Sequence, residues 1–469
     1  MVARARVQAM GILIDAPKQR SSCLPGPGQD FIPFNQVLWI SPEGESTKTL
    51  TYASSKGSGS DKYTVKTIKI SLASGENDDS KLLDLAYGPS KRQKRLLVLI
   101  NPFGGQGKAQ SIFQTHGEPI FRAARCEVDI KLTEYRHHAE EIGASLDLDA
   151  YDAIVCCSGD GIPHEVLNGL ANHKSGQGAK ALRKVAVCQF PCGSGNALAV
   201  SFNGSASPSL AALNIVKGVK TKMDLMNINQ ASLDSNKRYV SFLSQTYGLV
   251  ADCDLGTENL RWMGGQRFAV GAVMRVLSLT KYPCEVYVEY AHEKREQVTA
   301  HFAKHLDQDR DGLGEGSQHD DSVNELPKVR SVRDPVPDNW VKIERPDLCM
   351  FYVGKLPWMS SDALMFPATL PADGVLDLVL WDTSNGRIKS LNLLTAVESG
   401  KHYHIDELQY SKITAFRLIP KLESGYLAID GEAFPFEPLQ VEVLPGAGCF
   451  LSATGGFSKT LLHDHCRRS

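Results

Sequence analysis

LLVLINPFGGQGK at residues 96–108, AIVCCSGDGIPHEVLNGL at 153–170 and VAVCQFPCGSGNALA at 185–199 decide the fold. Each begins as an apolar run of strand length, breaks at a glycine-rich turn and continues as a helix candidate. Apolar runs that do not alternate with polar residues suit strands buried on both faces, and intervening helices of about ten residues suit crossovers between parallel strands. The spacing adds a strand at 127–132 and helices at 108–124, 136–146 and 208–217. All three glycine turns therefore fall at the C-terminal edge of one sheet. Ligands bind at that edge in open α/β sheets, because loops and helix N-termini converge there. Glycines at these turns also let backbone N–H groups approach phosphate oxygens without a Cβ in the way.

Around residue 222 strands take over: MDLMNIN, RYVSFLSQTY, CEVYVEY, CMFYVG, GVLDLVLW, ITAFRLIP, YLAIDG and QVEVLP. The expected fold is α/β: an N-terminal Gly-loop nucleotide-binding α/β domain followed by a mostly antiparallel, β-sandwich-like domain. The boundaries read as a flank at 1–94, partly β or disordered with 1–30 loosely ordered, then 95–221 and 222–445. A final strand near 446–458 could return to the first domain. Residues 292–340 are polar, lack periodicity and read as a surface insertion.

Composition narrows the classes. The chain has 469 residues, 42% hydrophobic and 22% charged, with a net charge of −2. This near-neutral balance argues against a nucleic-acid-binding surface. No run of 18 apolar residues is present for a membrane-spanning helix, and the N-terminus lacks the apolar core of a signal peptide. Eleven cysteines without a scaffold pattern read as reduced thiols. The first glycine turn is neither a Walker A loop, since Ala109 follows Lys108, nor a G-x-G-x-x-G turn.

NPFGGQGK, CSGDGIPHEVLNGL and PCGSGNALA together resemble the catalytic domain of the diacylglycerol-kinase superfamily, which includes diacylglycerol, ceramide and sphingosine kinases. LSQTYGLVADCDLGTENLRWMGGQRFAVG at 243–271 and LAIDGEAFPFEP at 427–438 are similar to sphingoid long-chain-base kinases of fungal type. Two departures are Ile162 and Pro163 after SGDG and the Pro-Cys that opens the third turn. The resemblance implies an ATP- and Mg2+-dependent phosphorylation of the primary hydroxyl of sphingosine, dihydrosphingosine or phytosphingosine. A ceramide or diacylglycerol kinase, or a catalytically silent lipid-binding relative, are the alternatives.

The resemblance makes Asp160 the catalytic carboxylate, where the residues alone allow an N-cap. Asn101, Gly104, Gly105, Gly107 and Lys108, with Thr133, would form the first nucleotide loop. Gly159, Gly161, Gly193, Ser194, Gly195 and Asn196 would supply the others. Glu165 would touch the nucleotide or brace its loop, and His164 receives no chemical role. Arg261 and Arg267 would balance phosphate charge, while Asp430, Gly431 and Glu432 would close on it. Asp430 and Glu432 would serve Mg2+ directly or through water. Asp254, ahead of Asp252, would hold the amine of the base, because a buried ammonium needs a carboxylate partner. Trp262, Phe268 and Met274 would line the lipid tail, with FYVGKLPWMSSDALMFP at 351–367 as a second apolar wall. The implied setting is cytoplasmic, with peripheral contact to intracellular or plasma membrane lipid in which the basic run 91–95 could take part. A homodimer stays open, and no nucleic acid is expected.

Overall fold

The computed structural model describes residues 2–15, 29–44, 47–55, 57, 59–72, 78–256, 274, 276–311, 326–327 and 329–468. In the α/β half, RLLVLI, EVDIKL, AIVCCS and AVCQFP form strands β1 (Arg95–Ile100), β2 (Glu127–Leu132), β3 (Ala153–Ser158) and β4 (Ala186–Pro191). They pair in parallel in the order β2-β1-β3-β4. Every residue of β3 and β4 is buried, whereas β2, the polar edge strand, is largely exposed. This is the burial that continuous apolar strands require when helices cover both faces. The helices include α1 (His138–Ala144), α2 (Gly161–Ala171), α3 (Gly178–Lys184), α4 (Ala197–Asn203) and α5 (Pro208–Lys217).

The second half contributes β5 (Val219–Asn229), β6 (Tyr239–Ser241), β7 (Ser244–Gly248), helix α6 (Leu249–Leu255), β8 (Cys284–His292) and helix α7 (Arg295–Asp311). There follow β9 (Val341–Arg345), β10 (Leu348–Gly354), β11 (Leu376–Asp382), helix α8 (Gly386–Val397), β12 (Gln409–Pro420), β13 (Leu427–Ile429), β14 (Glu432–Phe434) and β15 (Leu439–Ser452). Its strands run β14-β13-β7-β10-β11-β12-β15, antiparallel throughout. β15 then lies parallel to β4, with Val187 opposite Phe450, so hydrogen bonds continue from one half into the other. β5 pairs along most of β15.

Inside this β half a charged ladder is fully buried. Lys355 contacts Asp224 at 2.6 Å and also Asp373, while Lys412 lies 3.1 Å from both Asp373 and Asp377. Burial opposes the charge on Asp373, yet the two lysines hold its carboxyl well below the usual range. The ladder ties β5, β12 and the connection after β10 together.

Several expectations change. Residues 3–8 and 11–15 are strands, not loose chain, and they join four more in a six-stranded flank sheet. Part of the 292–340 segment is the helix α7. Within the basic run at 91–95 only Lys94 is buried, while Lys91 and Arg92 keep exposed side chains. Lys91 pairs with Asp152 at 2.6 Å, Arg92 with Asp84 at 3.5 Å, and Lys94 is buried against Ser90 and the carbonyls of Lys91 and Val216. Lys217 is likewise buried, donating to the carbonyls of Val37 and Ala86 over the ring of Tyr87. Burial pulls the ammonium groups of Lys94 and Lys217 down to about 8 and about 7. Among the described residues the ten cysteines form no disulfide. Among the described residues no helix is long and apolar enough to cross a membrane.

Candidate active site

At the C-terminal edge of β1, β3 and β4 the glycine segments meet. A Cβ on Gly193 would lie 2.3 Å from the Cα of Gly159, so the second and third turns touch backbone to backbone, and only glycine permits that approach. Asn196 closes the third turn by accepting from the Gly193 amide at 3.1 Å and donating to its carbonyl at 2.8 Å. Ser194 is exposed, and a Cβ on Gly195 would sit 3.1 Å from Asp160 Oδ2. In the first segment Asn101 accepts from the Phe103 amide, and Thr133 lies buried beside the end of β1, its amide bound to the Ile100 carbonyl. The expected open glycine loop is instead a single helical turn, Gly104–Gly107, and Lys108 after it is exposed.

Asp160 stands at the N-terminus of α2, but its carboxylate does not cap that helix. It reaches across to α4, accepting from the amides of Ala197 at 3.0 Å and Leu198 at 3.2 Å, and from Gln189 Nε2 at 3.1 Å. Gln189 is fixed in turn by the Ala199 amide at 2.7 Å. Desolvation lifts the Asp160 carboxyl to about 6, working against these three bonds, and the nearby Asp430 charge adds to the rise.

Asp430, at φ 52, is committed elsewhere. Its oxygens accept from Ser241 Oγ and the amides of Phe242, Leu243 and Ser244 at 2.6–3.1 Å, and His164 Nδ1 lies 2.8 Å away. Five partners saturate a carboxylate, so direct metal ligation by Asp430 is corrected to a structural role: it folds the β6–β7 turn onto α2. Burial disfavours charging of His164, but the hydrogen bond and charge of Asp430 override it and raise the imidazole pKa. His164 had been given no role. Its signal is the helical spacing with Asn168 and Asn172, which bond to the backbone of Val240 and Arg238 and so continue the seam between the halves.

Glu165 caps α1 through the amides of His137 and Ala139 at 3.1 Å each, and it also borders the cleft. Glu432 lies across from Gly161, whose Cβ position is 3.3 Å from Glu432 Oε1, and pairs with Arg136 at 3.1 Å. These residues line a cavity of about 270 Å³ together with His164, Lys237, Tyr239 and Phe434. Asp254 approaches Gly431, whose Cβ position is 3.6 Å from Asp254 Oδ2, while Asp252 accepts from the Tyr282 hydroxyl at 2.7 Å. Arg261, Trp262, Arg267 and Phe268 lie outside the described residues, and Met274 is 65% exposed instead of lining a buried wall.

The donor set fits a phosphate-bearing nucleotide: glycine backbones at two touching turns, with cationic Arg136 and Lys237 in the neighbouring cavity. No group of three or more metal-ligating side chains occurs among the described residues. A divalent cation would therefore be held chiefly by phosphate oxygens and water, with Glu432 as the nearby carboxylate.

Residues 95–228 match the diacylglycerol kinase catalytic domain, and 349–451 match the YegS C-terminal NAD kinase beta sandwich-like domain. Sphingoid long chain base kinase 4 of Schizosaccharomyces pombe is 35% identical, covering 91% of this chain and 89% of its own. The chain belongs to the diacylglycerol kinase catalytic-domain superfamily. Within the superfamily it is also 36% identical to sphingoid long chain base kinase 5 of Saccharomyces cerevisiae over 79% of the chain, spanning 61% of that relative's length. Human sphingosine kinase 1 is 32% identical over 77% of this chain and 93% of its own. A crystal structure of a diacylglycerol kinase from Bacillus anthracis str. Sterne shares the fold at a TM-score of 0.51 and 15% identity, covering 77% of this chain and 98% of that one. Superfamily membership supports a phosphotransferase acting on lipids.

Proposed function

We propose that the chain is an ATP-dependent kinase that phosphorylates the primary hydroxyl of a sphingoid long-chain base. The observation that carries this reading is the Asp160 carboxylate, placed where the glycine turns meet and desolvated to a pKa of about 6, which suits a general base working near neutrality. Asp160 takes the proton of the primary hydroxyl as that oxygen bonds to the transferred phosphorus, while the phosphorus–oxygen bond to ADP breaks. Because phosphoryl transfer passes through a loose transition state, fixing the hydroxyl in line contributes more than strong basicity. Gln189 and the α4 amides hold the carboxylate in place for that task. Mg2+ would supply charge neutralisation on the phosphates, with Glu432 beside it.

Asp254 favours a cationic lipid headgroup over a neutral one, since a carboxylate next to apolar chain matches an ammonium. Asp252, bonded to Tyr282, braces the helix that presents Asp254. The enzyme would act in the cytoplasm, in peripheral contact with the membrane that supplies its lipid. The test is a panel of sphinganine, ceramide and diacylglycerol with labelled ATP and Mg2+. Phosphorylation of the free base, lost in Asp254→Asn, supports the reading; phosphorylation of ceramide or diacylglycerol alone overturns it.

A further inference from the structure

Two polar side chains share one face of the β sheet near Asp254 and have no part in the chemistry above. β7 and β10 run antiparallel with Thr246 directly opposite Tyr352, so both side chains leave the same face. The alternating neighbours go the other way: Gln245 reaches Ser241 Oγ at 2.8 Å, and Tyr247 donates to the Pro283 carbonyl at 3.2 Å. On the Thr246 side Ser244 is a polar neighbour, while Ala428 and Phe366 are apolar. Ala428 of β13 extends the row in register, and Phe366 stands edge-on to Tyr352 with 5.2 Å between ring centres.

Thr246 is 5% exposed, and its Oγ1 meets no hydrogen-bond partner among the described residues. A buried hydroxyl left unpaired is costly and marks a place where a ligand group can complete the bonding. Tyr352 beside it is 7% exposed, with the Ser244 hydroxyl acting to favour its ionised form. Burial, then the charges of Asp254 and Asp160, keep its phenol protonated far above the usual range, so the ring oxygen lies in the field of both carboxylates.

Neither side chain is charged, so neither neutralises an ammonium as a carboxylate does; as paired donors and acceptors, a phenol and an alcohol suit another hydroxyl. If Asp160 takes the C1 hydroxyl and Asp254 the C2 amine with the C3 hydroxyl, the next carbon along the lipid is C4. Sphingoid bases differ at that carbon, which is a methylene in sphinganine, an alkene carbon in sphingosine and a hydroxylated carbon in phytosphingosine. Resting on the sphingoid-base reading, we propose that Thr246 and Tyr352 form a hydroxyl-recognising pair for C4, which makes the enzyme selective for 4-hydroxylated bases. A dry site built to bond a hydroxyl disfavours the analogue that lacks it, because its own polar atoms are then left unpaired.

The test offers phytosphingosine and sphinganine of equal chain length as competing substrates to the full chain, reading the ratio of their kcat/KM values. The expected ratio is about tenfold in favour of the hydroxylated base, falling towards one in Thr246→Val and in Tyr352→Phe. Thr246→Ser, which keeps the hydroxyl, should retain the preference. As an internal ratio, the readout is insensitive to a general loss of folded enzyme. A wild-type ratio near one, or a ratio that neither Thr246→Val nor Tyr352→Phe moves, overturns the pair and leaves the base-kinase reading standing. If neither base is phosphorylated, the underlying reading falls and the pair with it.

Discussion

Asp160 and Asp430 are both aspartates beside glycines, and their surroundings separate their duties. Asp430 has five polar partners, which leaves its oxygens no spare capacity. Asp160 has three, and desolvation outweighs them, so its proton is exchangeable near pH 6. A base must be unprotonated to act, so kcat/KM should fall as pH drops through about 6 and level off above it. Asp160→Asn should lower kcat by roughly 10²–10⁴-fold. Gln189→Leu removes a donor that favours the charged form, so the acidic limb of the profile should move to higher pH; an unmoved limb would separate Asp160 from the titration. Asp160 was singled out through the resemblance that SGDG helps to carry, since the residues alone allow an N-cap. Gln189 was not singled out; its only signal is a lone amide inside VAVCQF, where a buried polar residue points to a partner. The partner of His164 could not be read, since a histidine on a helix looks the same whether it meets water or an aspartate 266 residues away; only its spacing with Asn168 and Asn172 was a signal.

At the scale of elements, period and propensity placed β1, β3, β4 and α5 within a residue or two, because each is long and uniformly apolar or cleanly flanked. The first glycine segment failed as an open loop because four residues can wind into one helical turn without any apolar periodicity to announce it. α7 failed for a related reason: its polar composition gave no stripe to detect, yet Val298 and Phe302, one turn apart, are fully buried. The charged ladder of Lys355, Lys412, Asp224, Asp373 and Asp377 was equally silent, being spread over four separate segments. Removing one member leaves the others charged in a dry interior. Lys355→Met should therefore cost about 3–5 kcal/mol of stability in urea unfolding. A change of a few tenths would mean that water reaches the ladder.

For the molecule as a whole, the change of rhythm near residue 222 marks where helices give way to strands, but hydrogen bonding does not stop there. β5 runs along one edge of β15, while β12 and then β4 share the other. From the sequence came the coarse division and a final strand near 446–458 that could return to the first domain; the other strand partners, so far apart, leave no local trace. The stretch that matches the catalytic domain, 95–228, includes β5 but not β15. Produced alone, it should melt without a cooperative transition in circular dichroism, while the full chain should show one. A sharp transition in the fragment would mean that the α/β half is self-sufficient.

The pairing of β4 with β15 also has a consequence during protein synthesis. The first half emerges from the ribosome with the edge of β4 bare, and its neighbour is not made until residues 192–438 have been translated. An unpaired apolar strand edge invites pairing with other chains. Nascent chains of this protein should thus depend on chaperones longest in their first-made half, and slow translation across the β half would lengthen that exposure.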